Sequence, residues 1–338
     1  MNFTHGGDIK AFAISIGCDI SDVIDLSSNI NFIKPDISLD MNSITINAYP
    51  TYDELYSTLA THFDIDTNEL ELFNGGSSAI FALMKHFPHQ NCYIFSPAYI
   101  EYKKAAFDAN KNVELINRFI DLDYDVEPNS LVVFVNPSTP DGSLYDMEAL
   151  LEYWHSKNCT VILDESFLEF TSVPSMSQYI AKYQNLYILK SMTKFYSCAG
   201  VRIGCVLSNE SNISQLKQKE PLWKLSQFDS IYMQALLQDK TFRKISLAVN
   251  AKAKADLELI IQEFPSLFEQ LLPSMANFVL VRLKTMTSVE FQEKLLAHKI
   301  MVRDCSNFDF LSDEYIRIAV KSQKDMQSFR EAVKSIVS

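Results

Sequence analysis

The stretch Thr160-Val161-Ile162-Leu163-Asp164-Glu165 decides the fold that this sequence predicts. It is a short, mostly apolar run that ends in two carboxylates, and five more apolar runs lie at residues 92–95, 113–116, 131–135, 186–189 and 203–207. Helical patterns at residues 52–63, 77–86, 99–110 and 146–157 lie among these runs. Short apolar strands separated by helices predict an α/β fold whose mostly parallel central sheet is covered by helices on both faces.

The pattern changes after about residue 226. A long helical pattern runs to residue 264 and is stopped by Pro265; a strand (277–283), a helix (288–298), two strands (299–303 and 315–320) and a helix from about residue 323 follow. This order predicts a smaller α+β domain, and we expect the N-terminal segment to pack with it as an arm. The predicted domains are a large one at residues 44–225 and a small one made of residues 1–43 and 226–338. A length of 338 residues agrees with two domains of roughly 150 residues each.

The composition disfavours several classes of protein. With 30 Lys and Arg against 42 Asp and Glu, the net charge of −12 opposes binding to nucleic acid or to an anionic membrane. No apolar run approaches the roughly 18 residues of a membrane-spanning helix, and we expect no signal peptide. The six cysteines are scattered without a Cys-x-x-Cys pair, which predicts reduced thiols in a cytoplasmic protein and no metal site.

Glycine is scarce in this chain. There are eight glycines, where an average usage of about 7% gives roughly 24. A chain so poor in glycine keeps it where the backbone needs a positive φ or a close approach to another group. All of the glycines except Gly17 lie in stretches that other observations also single out.

Four motifs lie where parallel strands end or a helix begins, which is where such sheets bind ligands. They are the loop Asn136-Pro137-Ser138-Thr139-Pro140-Asp141-Gly142, the strand-end pair Asp164-Glu165, Ser191-Met192-Thr193-Lys194 with Arg202, and the helix start Asn74-Gly75-Gly76-Ser77-Ser78. Each motif alone is also compatible with an ordinary loop, cap, surface lysine or helix start. The hydroxyls, cations and glycines crowded into residues 191–204, with the free N–H groups of the helix start, favour an anion such as phosphate.

The order of these motifs resembles the layout of pyridoxal-phosphate enzymes of the aspartate aminotransferase fold, fold type I, over essentially the whole chain. Within that fold the sequence is most similar to the threonine-phosphate decarboxylases of cobalamin biosynthesis and next to histidinol-phosphate aminotransferases. The aminotransferases usually carry tyrosine where Phe167 stands and usually lack the His-Gly-Gly start. The resemblance to the decarboxylases is carried by Thr4-His5-Gly6-Gly7-Asp8, Ser27-Ser28-Asn29-Ile30-Asn31, Asp164-Glu165-Ser166-Phe167-Leu168-Glu169-Phe170, Thr193-Lys194-Phe195-Tyr196 and Val302-Arg303-Asp304-Cys305-Ser306-Asn307.

The resemblance implies that the cofactor is pyridoxal 5′-phosphate and that Lys194 binds its aldehyde covalently. Asp164 would keep the ring nitrogen protonated, Asn136 would bond the ring phenolate oxygen, and Tyr99 would stack on the ring, unless Tyr99 is a core residue. The implied ligands of the cofactor phosphate are Gly76, Ser77, Ser191, Thr193, Arg202 and, from a neighbouring subunit, Tyr49. This last contact implies that the active unit is a homodimer.

A substrate site is implied as well. Arg317 would bind the substrate carboxylate, with a salt bridge to a neighbouring acid as the other interpretation. Strand alternation puts it on the face opposite the apolar residues Ile316, Ile318 and Val320. The implied ligands of a substrate phosphate are Arg303, His5 and Asn31, and Asn136 would also contact the substrate.

The implied reaction is decarboxylation of an O-phospho-L-amino acid. O-phospho-L-threonine would give aminopropanol phosphate, and O-phospho-L-serine would give ethanolamine phosphate. Either product would serve the nucleotide loop of a cobamide. No residue of the sequence decides between the two substrates. Histidinol-phosphate aminotransferase is the alternative. A non-catalytic regulator on the same fold is disfavoured because no DNA-binding module precedes residue 40, and a nicotinamide-dependent dehydrogenase because the sequence has no Gly-x-Gly-x-x-Gly.

Overall fold

The computed structural model describes residues 6–338, apart from the side chains of residues 270 and 271. Ten α-helices and thirteen β-strands occupy the described residues. The helices, α1 to α10, are Ile9–Ile16, Asp53–Phe63, Gly75–His86, Ile100–Asp108, Met147–Ser156, Glu210–Lys217, Gln227–Leu237, Phe242–Glu263, Ser288–Leu295 and Gln323–Val337. The strands, β1 to β13, are Ile24–Asp25, Leu70–Asn74, Asn91–Ser96, Asn112–Asn117, Leu131–Val135, Thr160–Asp164, Leu186–Ser191, Ile203–Leu207, Phe268–Leu271, Phe278–Leu283, Ile300–Met301, Arg303–Asp304 and Tyr315–Ala319.

A seven-stranded sheet with the order β2-β8-β7-β6-β5-β3-β4 forms the larger part of the fold. The five strands from β7 to β4 run parallel, whereas β8 is antiparallel to β7 and β2 is antiparallel to β8. The predicted α/β fold with a mostly parallel sheet is therefore confirmed. The sequence did not reveal β2 as a strand, because its apolar run is interrupted by Glu71, which is buried and ion-paired with Lys224.

Side chains of the central strands alternate between two apolar layers. Val161 and Leu163 of β6 pack in one cluster with Trp154 of α5. Ile162 packs on the other face in a cluster with Leu83 of α3. Because the strand is buried on both faces, its sequence is apolar without alternation, which is what made it recognisable.

The second sheet is antiparallel and has the order β12-β13-β10-β9. Its core includes residues of α8, α9 and α10, such as Leu257, Phe291 and Phe329. The N-terminal segment joins this side of the molecule, because β1 pairs in parallel with β11 and Leu26 packs in the same core. The segment after β1 therefore starts beside the second sheet and can reach the space between the two sheets.

The long helical pattern after residue 226 is divided into α7 and α8. Between them, the Asp239 carboxylate accepts hydrogen bonds from the backbone N–H groups of Thr241 (2.9 Å) and Phe242 (3.1 Å). A turn held by one side chain thus separates two helices whose sequence pattern appears continuous. Among residues 6–338, the structure contains no helix with the length and apolar character that crossing a membrane requires.

Candidate active site

A cavity of about 310 Å³ has walls from both sheets, from the start of α3 and from the N-terminal segment. Asp164 and Ser191 reach it from the ends of β6 and β7, and Arg303 and Arg317 reach it from β12 and β13. Ten of the residues that the sequence proposed for a site line this cavity: Gly76, Ser77, Tyr99, Asp164, Ser191, Thr193, Lys194, Arg202, Arg303 and Arg317. Residues far apart in the chain therefore meet at one place.

Lys194 lies just after β7 and faces the cavity. Within residues 6–338, no carboxylate forms an ion pair with its ammonium group. Burial, and then the positive charges of Arg317 and Arg202, lower the pKa of Lys194 to about 8. A lysine with this pKa is partly neutral near pH 7, and the neutral amine is the form that attacks a carbonyl.

Asp164 ends β6 and is only 5% exposed. Its carboxylate accepts hydrogen bonds from the Ser166 backbone N–H (2.8 Å) and from the Tyr102 hydroxyl (2.8 Å). Burial raises the pKa of Asp164, and none of the described cationic side chains pairs with it. A buried carboxylate that lines a cavity and forms no ion pair favours a ligand that brings a protonated nitrogen.

The start of α3 forms part of the cavity wall. The Asn74 side chain, just before the helix, donates to the carbonyl of Lys224 (3.2 Å) and does not cap the helix. The first N–H groups of a helix have no partner within it, and Gly76 and Ser77, which carry two of them, line the cavity. A Cβ atom at Gly204 would lie 2.7 Å from the Gly76 nitrogen, so only glycine lets β8 approach the helix start this closely.

Three side chains complete this end of the cavity. The hydroxyl oxygens of Ser191 and Thr193 are 2.9 Å apart, and Arg202 donates from Nη1 to the carbonyl of Ala199 (2.9 Å). Backbone N–H groups, hydroxyls and a guanidinium at one end of a cavity are the donors that a phosphate group requires. This end of the cavity therefore fits a phosphate.

Arg303 and Arg317 are directly paired across β12 and β13, and each is 6% exposed. Like charges in this position oppose sheet formation. Arg317 donates to the Thr139 hydroxyl (3.1 Å) and to the Ser27 carbonyl (3.0 Å), while its Nε is buried without a partner among the described residues. Arg303 donates to the Asn307 side chain (2.7 Å). Burial lowers the pKa of both groups, that of Arg317 to about 10, so both remain charged near pH 7 and suit a ligand with two anionic groups.

Two predicted amides do not line the cavity. Asn136 donates to the Tyr145 carbonyl (3.1 Å) and accepts from the Tyr145 N–H (2.9 Å), so both ends of its amide hold the loop together. Asn31 donates to the Phe195 carbonyl (2.8 Å) and accepts from the Ile33 N–H (3.1 Å). The structure thus uses both residues to fasten the backbone and does not bring them to the ligand space.

Two other predicted residues lie elsewhere. Tyr49 is 73% exposed and stacks on Trp223, with 4.1 Å between ring centroids, so it does not reach the cavity of its own chain. This placement is compatible with the predicted role of Tyr49 in a neighbouring subunit. His5 lies outside the described residues.

Sequence reasoning missed several residues of the cavity wall. Thr139 lies three residues from Asn136, and Ser28 and Asn29 lie just before Asn31. All three belong to stretches that had been singled out, but the side-chain directions in a turn depend on contacts that the sequence does not show. Gly6 also lines the cavity, which brings the N-terminal segment to it. Among residues 6–338, no cluster of three His, Cys, Asp or Glu side chains could hold a metal ion.

The chain is similar in sequence and in fold to known proteins. Residues 21–336 match the sequence model of a family described as aminotransferase class I and II. The chain is 23% identical to the threonine-phosphate decarboxylase of Salmonella typhimurium, over 100% of this chain and 97% of that protein. It is 23% identical to the histidinol-phosphate aminotransferase of Methanocaldococcus jannaschii, over 99% and 95%. The solved structure of the histidinol-phosphate aminotransferase from Sinorhizobium meliloti in complex with pyridoxal-5′-phosphate superposes with a TM-score of 0.81 at 16% identity, covering 99% of this chain and 96% of that one.

Proposed function

The chain belongs to the aminotransferase class I and II family, and from this premise we propose that it decarboxylates O-phospho-L-threonine or O-phospho-L-serine. The predicted fold type I architecture is confirmed, and the cofactor is pyridoxal 5′-phosphate. The products of the proposed reaction are carbon dioxide and aminopropanol phosphate or ethanolamine phosphate. Such an aminoalcohol phosphate would serve the nucleotide loop of a cobamide.

The residues around the cavity fit this cofactor. The Lys194 amine would bind the cofactor aldehyde, and the uncompensated Asp164 carboxylate would gain the cation it lacks from the protonated ring nitrogen. The ring would lie beside Tyr99, which is 36% exposed at the cavity and is therefore not a core residue. The cofactor phosphate would be held by Gly76, Ser77, Ser191, Thr193 and Arg202.

The paired arginines are the single observation that carries the proposal. With Arg202 assigned to the cofactor phosphate and Lys194 to its aldehyde, Arg303 and Arg317 remain for the substrate. A phospho-amino acid offers a carboxylate and a phosphate, one for each guanidinium. Arg317, held by Thr139 and Ser27, would take the carboxylate. Arg303 would take the phosphate together with His5 and with Asn29, which lines the same cavity.

Arg303, Arg317, Lys194 and Asp164 would each have a separate role in the reaction. When bound, the cofactor supplies an electron sink for the electron pair that remains at the substrate α-carbon. Arg317 and Arg303 would orient the substrate so that the bond to the carboxylate breaks, rather than the bond to the α-hydrogen. After carbon dioxide leaves, Lys194 Nζ would return one proton to the α-carbon, while Asp164 keeps the ring nitrogen protonated.

We also propose that the active unit is a homodimer. Tyr49 and Trp223 form an exposed aromatic stack, and Ile46 and Leu222 beside them in sequence are 69% and 77% exposed. Exposed apolar groups of this kind favour contact with another protein surface. A second copy would cover them and bring its Tyr49 towards the cofactor phosphate.

Product analysis of the purified, cofactor-loaded protein tests the proposed function. We expect carbon dioxide and an aminoalcohol phosphate from O-phospho-L-threonine or O-phospho-L-serine, without consumption of a 2-oxo acid. Histidinol-phosphate aminotransferase is the second candidate, because a relative with that activity has the same 23% identity. Conversion of histidinol phosphate and 2-oxoglutarate into glutamate and the matching ketone, without carbon dioxide release from either phospho-amino acid, would replace the proposal with this alternative.

Replacing Arg303 with glutamine tests the assignment of the phosphate site. Because truncating a buried, bonded charge costs about 2–5 kcal/mol, we expect kcat/KM for the phosphorylated substrate to fall about 30-fold or more. Decarboxylation of unphosphorylated threonine at high concentration should change much less. The control is Arg282→Gln, because Arg282 lies on β10, pairs with Glu269 and Glu314, and is outside the cavity. Equal losses for threonine and phosphothreonine would contradict the assignment.

A further inference from the structure

We propose that Thr139 is the residue whose hydroxyl donates a hydrogen bond to the phenolate oxygen of the cofactor ring, a positioning inference that rests on the proposed cofactor site. The Thr139 side chain lines the cavity together with Lys194 and Asp164. Its oxygen accepts from Arg317 Nη1 (3.1 Å). The hydrogen of the same hydroxyl must therefore point elsewhere, and none of the described residues accepts it.

The loop around Thr139 is held firmly. Asp141, two residues later, forms an ion pair with Arg118, and the two side chains are 0% and 1% exposed. Arg118 also donates to the Tyr145 hydroxyl (2.9 Å), and Asn136 binds the Tyr145 backbone at both ends of its amide. Asn136 cannot turn towards the cavity unless these bonds break, whereas Thr139 is already there.

The phenolate oxygen is the acceptor that suits the Thr139 hydrogen best. The cofactor phosphate belongs at the start of α3 with Arg202, and the substrate carboxylate is matched by the guanidinium of Arg317. Because Arg317 donates to the Thr139 oxygen, it polarises the hydroxyl and strengthens the hydrogen bond that the hydroxyl donates. An anionic ring oxygen beside Lys194 is the remaining partner for this donor.

The bound cofactor reports on this hydrogen bond by its absorbance. The absorbance would change at the pH where the proton shared by the phenolate oxygen and the Lys194 nitrogen is lost. A hydrogen-bond donor to the phenolate oxygen would stabilise the negative charge that remains there. The donor would therefore lower the pH midpoint of the absorbance change. Removing the donor should raise that midpoint by about one pH unit, the shift that one hydrogen bond to a charged group produces. The charged and titratable groups that line the cavity are the same in all variants compared: Tyr99, Asp164, Lys194, Arg202, Arg303 and Arg317.

The experiment is a pH titration of the absorbance of the cofactor-loaded protein without substrate. Thr139→Val, which has nearly the same shape, should raise the midpoint, and Thr139→Ser, which keeps the hydroxyl, should restore it to within about 0.3 unit of wild type. The control is Thr160→Val: Thr160 is also 5% exposed but lies at the other end of β6 from Asp164. Thr139→Ala serves as a second variant if Thr139→Val does not fold.

Two results would overturn the proposal. An unchanged midpoint in Thr139→Val and Thr139→Ala, with only KM for the substrate raised, would assign the hydroxyl to the substrate carboxylate instead. A shifted midpoint in Asn136→Ala, with none in Thr139→Val, would return the role to Asn136. The titration contains no substrate, so failure of the proposed decarboxylation would leave its outcome unaffected and the two failures can be told apart.

Discussion

Replacing Lys194 with alanine is expected to lower turnover about 10⁴-fold. This loss is at the upper end of the range for removing a residue that transfers protons in the transition state. The variant would lose both the covalent link to the cofactor and the proton donor to the α-carbon. Borohydride reduction followed by peptide mapping should find the cofactor on the peptide that contains Lys194 in the wild type, and on no peptide of the variant. Lys182→Ala is the control, because Lys182 is an exposed lysine paired with Glu152 outside the cavity.

The low pKa of Lys194 adds a pH dependence to this prediction. Since only the neutral amine attacks the aldehyde, the cofactor-free protein should capture pyridoxal phosphate faster as the pH rises through about 8, rather than through the range near 10 of an ordinary lysine. Stopped-flow absorbance between pH 6 and pH 10 measures this rate. Full turnover in Lys194→Ala, or capture that increases only above pH 10, would contradict the role assigned to Lys194.

Replacing Asp164 with asparagine should have opposite effects on catalysis and on stability. Loss of the charge opposite the ring nitrogen should lower kcat about 10²–10³-fold, as removal of one preorganised electrostatic group does. Asparagine keeps the shape and can still bond the Ser166 N–H and the Tyr102 hydroxyl. The activity loss is measured with the cofactor-loaded enzyme at saturating substrate.

The cofactor-free Asp164→Asn variant should be more stable than the wild type near neutral pH. Burial raises the pKa of Asp164 in the folded state, so ionisation of this carboxyl costs stability as the pH rises above the ordinary range of an aspartate. We expect the free energy of unfolding to increase by about 0.5–2 kcal/mol, with the gain becoming smaller as the pH is lowered. Urea denaturation at pH 8 and pH 5.5 measures it, with Asp123→Asn, an exposed aspartate, as the control. A destabilised variant at pH 8 would contradict this account.

The sequence predicts the parts of this fold whose pattern is dictated by burial alone. The strand at residues 160–164 is recognisable because both faces are buried, and Asp164 is found because a carboxylate at the end of such a strand is unusual. β2 is missed because a buried ion pair with Lys224 allows Glu71 inside the sheet. A pairing between residues so far apart in the chain leaves no local signal.

The site residues also differ in whether the local sequence pattern or contacts with distant residues place them. Residues within strands or next to strand ends are placed by topology: Arg317 lies in the middle of β13, Lys194 follows β7, and Arg202 directly precedes β8. The side chains of residues in turns are directed by contacts with other parts of the chain. Both ends of the Asn136 amide bond the Tyr145 backbone, and the Asn31 amide donates to the Phe195 carbonyl. Sequence reasoning therefore singled out turns that reach the cavity, but it could not show which of their residues line it.

The cavity takes its lysine and its aspartate from one sheet and its paired arginines from the other. If the proposed roles hold, exchange of side chains on β12, β13 or the N-terminal segment would alter which molecule is recognised, while Lys194 and Asp164 at the first sheet stay unchanged. Proteins that descend from one ancestor would in this way change substrate specificity through a few substitutions on one half of the molecule. Two relatives with different activities at the same 23% identity are what such a history would leave behind.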